Sequence, residues 1–414
     1  MELSIIICVY NTDKGYLAEC LESIRKSTLC SGADVPSTDY EILMIDDGSS
    51  VDYADIVEKY GVRYHKTENR GIFRARLLGV ELARGDYIAF CDSDDTVTVN
   101  YHRPMLECAK RDGADIVIND WAFHTERSRY YCQNDETVRN NIYLEGDECL
   151  SAFLAQRGRM HSYYVLWNKL FRSELLKTVA QTVRHIAEGE ERFNYSEDAL
   201  MTFYAFRLAK KVENLHTGYY FYRIHDSQSV TVASEEKLVR HIECMGVTLS
   251  EMRKSVSGLK SAKTMLAYID EWAHLMSRTH YSYAKRSGYK SLYPLIKETY
   301  GVEKLCASKA SDGSAYGKTR LIGSNIEEID RALMLAFKTG AAVDTDLEPY
   351  AERVLAGMRE IGGRVDLSDK ERVIIPKEEI SLKRKIFHIP FVYKLGMLLF
   401  PKGSRIRAFL KRRL

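Results

Sequence analysis

The sequence predicts an α/β protein: a doubly wound sheet over roughly the first 230 residues, then a mainly α-helical region. Three observations carry this. Short, continuously apolar runs such as Ile5-Ile6-Ile7-Cys8-Val9 and Ile42-Leu43-Met44-Ile45 recur, each stopped by turn residues. Such runs belong to strands buried on both faces. Between them, apolar residues step by three and four, as at Leu17, Cys20, Leu21 and Ile24. Strands alternating with helices build a doubly wound sheet, which binds ligands beyond the strands' carboxyl ends. From about residue 235 the helical step dominates, through Leu238, His241, Ile242, Met245, Leu249 and Met252.

The elements follow in order. A first strand, Ile5–Val9, meets the turn Asn11-Thr12-Asp13, which starts a helix. A second strand over 41–45 ends in Asp46-Asp47-Gly48-Ser49-Ser50. A helix from about Tyr53 to Tyr60 leads to a short strand, Val62–His65, then Asn69-Arg70-Gly71 and a helix through Ala83. Gly85 stops that helix, and the strand Tyr87-Ile88-Ala89-Phe90 follows. Residues 121–232 are mixed and rich in aromatics, with a strand at Gly218–Arg223. Ser324-Asn325-Ile326-Glu327 reads as a capping box opening a helix that Gly340 ends. The expected division is 1–232, 233–380 and 381–414.

The stretch Cys91-Asp92-Ser93-Asp94-Asp95 places three carboxylates directly after an apolar strand. Like charges packed so closely repel unless a cation sits among them. A hard divalent ion with oxygen ligands, Mg2+ or Mn2+, suits them and would hold a phosphate-bearing substrate. A plain acidic turn is the competing reading, since Asp and Ser are ordinary turn residues.

Composition excludes some classes. Charged residues are 29% of the chain but the net charge is +2, which gives a general nucleic-acid role no support. Nine cysteines occur without a C-x-x-C pair, which fits a reduced, cytoplasmic setting. No secretory signal opens the sequence and no apolar run reaches the ~20 residues of a spanning helix.

The order of motifs resembles the family 2 glycosyltransferases, which have the GT-A fold. The matching pieces are Ser4–Asn11, Asp46-Asp47-Gly48-Ser49-Ser50-Val51-Asp52, Asn69-Arg70-Gly71 through Ala75-Arg76, and Arg84–Asp95. Trp167-Asn168-Lys169-Leu170-Phe171, Ser196-Glu197-Asp198 and Tyr220-Phe221-Tyr222-Arg223 continue the series. Each is weak alone; the shared order is specific. Cys8 stands where the family often has Pro, and Leu77 where it often has Asn. Beyond about residue 235 the resemblance ends.

The resemblance implies a metal-dependent, inverting transfer of sugar from a nucleotide-diphospho-sugar, UDP-linked, to a glycan or lipid-linked acceptor in cell-surface polysaccharide synthesis. Tyr10 and Asn11 would lie near the donor base, with Asp46 bonding a pyrimidine edge beside Asp47. Arg76 would face the donor's phosphates or base, unless it is a solvated helix-face arginine. Asp92 would contact ribose or metal, Asp94 would ligate the Mn2+ or Mg2+, and Asp95 would support them. Asp198 would be the general base, unless it serves as a helix-start carboxylate. Trp167 would line the acceptor side or else be a core tryptophan. His225 is a candidate metal ligand and Arg223 a phosphate contact. Two alternatives are a nucleotidyltransferase, which should show a Gly-rich phosphate loop after the first strand, and a non-catalytic sugar-nucleotide-binding subunit.

Residues 381–414 carry ten Lys/Arg and no Asp/Glu, interleaved with apolar residues such as Ile386, Phe391, Leu395 and Phe400. This basic amphipathic pattern suits an anionic membrane surface and would place the protein on the inner face of the cell membrane. A helix docked on the protein's own core is the alternative.

Overall fold

The computed structural model describes residues 1–28, 39–99, 101–125, 129–133, 143–159, 161–189, 193–224, 234–307 and 319–323. His225, the capping box at 324–327 and the basic tail 381–414 lie outside the described residues.

The N-terminal half alternates as expected: β1 (Leu3–Val9), α1 (Lys14–Ser27), β2 (Tyr40–Asp46), α2 (Ala54–Tyr60), β3 (Arg63–Lys66), α3 (Ile72–Leu82) and β4 (Tyr87–Asp92). Asp13 caps α1 by accepting from the Gly15 and Tyr16 N–H groups. β1 pairs in parallel with both β2 and β4. Every residue of β1 except Cys8 is buried, which is why the run reads as continuously apolar.

The second half is mixed. β5 (Thr96–Val97), α4 (His102–Asp112), β6 (Ile116–Thr125), β7 (Arg129–Gln133), β8 (Tyr143–Glu145), α5 (Asp147–Ala155) and α6 (His161–Tyr164) come first. β9 (Lys169–Arg172), α7 (Ser173–Ala187), α8 (Glu197–Leu208) and β10 (Lys211–Ile224) follow. With β11 spanning Thr319–Gly323, the sheet order is β11-β7-β6-β9-β4-β1-β2-β3, with β10 beside β5, β6 and β8. β9 runs antiparallel to both β4 and β6, so the sheet is parallel only in part. The expected strand 218–223 is the end of the longer β10, whose register shifts between Asn214 and Tyr219.

Three long or short helices close the described chain: α9 (Glu235–Val256), α10 (Ala262–Ser287) and α11 (Tyr293–Tyr300), before β11 (Thr319–Gly323), which pairs with β7. These helices do not form a separate core. Leu238, Ile242, Met245, Ile269 and Trp272 join Phe153, Leu200, Phe203 and the inner face of β1 and β2 in one buried cluster. Among the described residues, no helix is long and apolar enough to cross a membrane.

Candidate active site

Strand register assembles the site. Cys8 lies opposite Asp92 and Val9 opposite Asp46, so Asn11, Asp46, Asp47 and Asp92 leave the sheet along one edge. A doubly wound sheet presents its ligand crevice there.

The loop after β1 is locked to the turn after β2. Asn11, in the left-handed region at φ 52, accepts from Ser50 N–H at 2.8 Å, and its own N–H donates to Ser49 Oγ at 2.9 Å. Asp46 is fully buried and accepts from Ser49 N–H at 2.7 Å and the Tyr64 hydroxyl at 2.5 Å, with Lys66 Nζ at 3.8 Å. These bonds fix the turn on which the sequence reading set a pyrimidine-binding carboxylate. Asp47 accepts from the Arg70 and Gly71 N–H groups and so fixes the entry to α3. Tyr10 is 56% exposed.

The acids after β4 do not all face one way. Asp95 is 1% exposed, accepting from the Tyr220 hydroxyl at 2.6 Å and Arg223 N–H at 2.7 Å. It braces the loop against β10 rather than sharing in a cation site. Asp92 and Asp94 are half-buried and remain at the rim. The Ser93 hydroxyl is 2.7 Å from that of Thr12, and Arg223 Nε donates to the Asp94 carbonyl at 2.6 Å.

Arg76 is the hub. It is buried, which removes the solvated helix-face alternative. Its guanidinium donates to Glu197 Oε1 at 2.6 Å and to Asp92 Oδ1 at 3.2 Å, tying the starts of α3 and α8 to the end of β4. Sequence reasoning missed Glu197, because its partner lies 121 residues away and no local pattern marks the pair. Burial pushes the Glu197 carboxyl up to about 7 against the pull of Arg76. Burial also raises the Asp92 and Asp198 carboxyls, again opposed by Arg76.

Asp198 sits in the first turn of α8, more exposed than Glu197, and accepts from Ala199 N–H at 2.8 Å. Ser196, just before the acidic pair, holds φ 61, and its hydroxyl is 2.8 Å from that of Thr248 on α9. Trp167 offers no open face. It is 4% exposed and stacks on Tyr220 at 4.4 Å, with Trp121 edge-on at 5.4 Å. The core alternative is the one the structure realises, because the stack fills the space behind the acidic loop.

Cys108, Asp112 and Glu213 also gather within metal-ligand reach. Lys211 and Arg111 already answer those carboxylates, so they form an ion-pair cluster away from the sheet edge.

An α/β sheet of this topology, with carboxylates along its carboxyl edge and a second acidic pair on a facing helix, defines a GT-A-type sugar-transferring domain. Residues 4–180 match the model described as Glycosyl transferase family 2. EpsH of Bacillus subtilis (strain 168), whose name assigns it provisionally to the glycosyltransferases, is 28% identical over 72% of this chain and 85% of its own length. Glycosyltransferase GlyG of Streptococcus pneumoniae serotype 4 is 26% identical over 64% of this chain and 89% of its own. The crystal structure of S. aureus TarS 1-349 in complex with UDP-GlcNAc superposes with a TM-score of 0.53 at 19% identity, covering 91% of this chain and 97% of that one, and shares the fold.

Proposed function

We propose that the protein is an inverting, divalent-metal-dependent glycosyltransferase that moves a sugar from a UDP-sugar to a hydroxyl of a cell-surface glycan or lipid-linked acceptor. The single observation that carries this reading is the gathering of carboxylates from separate parts of the chain at the carboxyl edge of the sheet: Arg76 bonds both Asp92 and Glu197, half-buried Asp94 stands two residues beyond Asp92, and Asp198 adjoins Glu197. Asp92 and Asp94 supply the hard oxygen donors that fit Mn2+ or Mg2+. A bound ion there would offset charge on the departing diphosphate.

The remaining roles belong to the chain. Tyr10 presents its ring to the donor base, beside a wall that Asn11, Asp46 and Asp47 build. Arg76 keeps Asp92 in place beside the diphosphate. Asp198 accepts the acceptor hydroxyl's proton as its oxygen bonds the anomeric carbon; the bond from that carbon to the phosphate oxygen breaks, and the nucleoside diphosphate leaves. One base opposite the leaving group gives a single displacement with inversion. The raised Asp198 carboxyl is a stronger base than an ordinary aspartate. TarS binds UDP-GlcNAc, and relatives include poly(ribitol-phosphate) glycosyltransferases, which supports a UDP donor and a wall-type polymer as acceptor. Residues 381–414 fit attachment to an anionic membrane surface, where a lipid-linked acceptor would lie; deleting them should lower partition onto anionic liposomes.

Donor hydrolysis with Mn2+ tests the site. Asp94→Ala should abolish metal-dependent stabilisation by UDP-sugars in thermal-shift measurements. Asp198→Asn should keep that stabilisation and lose at least about a hundredfold in turnover. Full activity in both variants would overturn the assignment.

A further inference from the structure

Arg223 is 7% exposed and lies near the end of β10. β10 runs antiparallel to β5, with Tyr220 opposite Val97 and Phe221 opposite Thr96. Continued by two residues, that register sets Arg223 against Asp94. The bonds follow it. The Arg223 N–H donates to Asp95 Oδ1 at 2.7 Å, and its Nε donates to the Asp94 carbonyl at 2.6 Å.

The far side of the guanidinium belongs to α1. Nη2 donates to Glu19 Oε2, and Cζ lies 4.5 Å from the centre of the Tyr16 ring. A guanidinium is a planar fork with donors in fixed directions, so one side chain can bond the loop and the helix at once; a lysine ammonium is a single point charge and cannot span both. A buried cation also needs such partners to offset its desolvation. Arg223 therefore ties β10, α1 and the loop after β4 together at Asp94.

The residues on either side of Asp94 are held as well. Ser93 Oγ lies 2.7 Å from Thr12 Oγ1, and Asp95 Oδ2 accepts from the Tyr220 hydroxyl at 2.6 Å. Those bonds act on the neighbours' side chains, whereas the Arg223 bond reaches the main chain of Asp94 itself. The groups behind a metal ligand fix where its oxygen points, and a ligand that is free to drift binds poorly.

We propose that Arg223 is a positioning residue for the divalent ion: it clamps the Asp94 main chain to β10 and α1 and so fixes the carboxylate that takes the ion. This rests on the metal reading of Asp92 and Asp94 given above. It differs from the role that the family resemblance gave Arg223, a direct contact to the donor's phosphates.

The two roles predict opposite binding data. Mn2+ uptake by the full chain without nucleotide is read from the loss of the free ion's electron paramagnetic resonance signal. UDP binding in EDTA is read by calorimetry. Arg223→Met should weaken Mn2+ by at least about tenfold, the usual cost of losing a partner behind a metal ligand, and leave UDP binding in EDTA as in wild type. A phosphate contact would do the reverse. A merely structural arginine would lower the melting temperature and leave Mn2+ affinity in place. Where Arg223→Met does not fold, Glu19→Ala serves. Glu19 is 57% exposed, alanine suits a helix, and the change removes only the anchor on α1. It should weaken Mn2+ severalfold. Wild-type Mn2+ affinity in the folded variant overturns the proposal. Asp94→Ala separates this proposal from the metal reading. If that variant binds Mn2+ like wild type, or if wild type binds none, the metal reading fails and the clamp with it. If Asp94→Ala loses Mn2+ while Arg223→Met keeps it, the clamp alone fails.

Discussion

Arg76 joins carboxylates from two parts of the chain that are distant in sequence, and its removal should read out as a pH-dependent loss of stability. In Arg76→Met, buried Glu197 and half-buried Asp92 lose their bonded cation. Breaking a buried ion pair from one side costs about 3–5 kcal/mol. Burial already raises both acids, and Arg76 opposes that rise. Without it both rise further. A carboxyl whose folded value exceeds its unfolded one disfavours folding more and more as pH climbs from the unfolded value to the folded one. Denaturant unfolding should therefore show a larger loss at pH 8 than at pH 5.5, and an equal loss at both would mean that the pairing carries no weight. The sequence displayed Asp92 and Asp94 because they follow directly on an apolar strand, whereas Arg76 and Asp198 were marked by the family resemblance. It did not display Glu197 as Arg76's partner, because that contact arises only when α8 packs beside β4.

Element boundaries near the site are set by a few backbone positions. Gly71 opens α3 at φ 97, and a Cβ there would fall 2.2 Å from Asn194 Oδ1 in the loop before α8. Gly71→Ala would meet both the left-handed backbone and that loop, displacing Ser196, Glu197 and Asp198 together. Turnover should fall by at least about tenfold, as expected when reacting groups shift by an ångström, with a circular-dichroism spectrum like wild type; unchanged turnover would separate the two loops functionally. Thr248 braces Ser196 from α9. Thr248→Val should lower kcat severalfold and leave KM for the donor unchanged, because the donor contacts proposed above lie at the strand ends, away from α9; an effect on KM alone would refute a role in presenting Asp198. Continuous apolar runs made β1, β2 and β4 legible, since parallel strands buried on both faces have no polar alternation to misread. β9 was not legible as an antiparallel insertion: Leu170 and Phe171 fit either direction, and pairing partners on β4 and β6, far away in sequence, decide it.

At the scale of the whole molecule, α9–α11 complete the catalytic core. Trp272 of α10 lies 6.0 Å from Phe153 on α5 and 6.0 Å from Tyr164, and its indole fills the space above Gly158, where a Cβ would overlap it. Leu238, Ile242, Met245, Leu249 and Met252, the residues whose helical step was readable in the sequence, all point into the cluster shared with α8. The periodicity revealed a buried face but not its partner, because a helix stripe is the same whether it meets its own bundle or a neighbouring sheet domain. The consequence is specific. A fragment ending at residue 232 loses five such side chains from α9 alone, along with Trp272 and Ile296. Each fully buried large apolar side chain contributes about 1.5–3 kcal/mol, against a total stability of about 5–15 kcal/mol for a typical domain. Even with partial refilling, that loss exceeds what the remaining chain holds in reserve. The fragment 1–232 should fail to show a cooperative thermal transition and should bind hydrophobic dye, whereas a chain ending near 307 should melt cooperatively. A cooperative transition in 1–232, with UDP-sugar stabilisation intact, would instead make the helices an appended unit with its own partner.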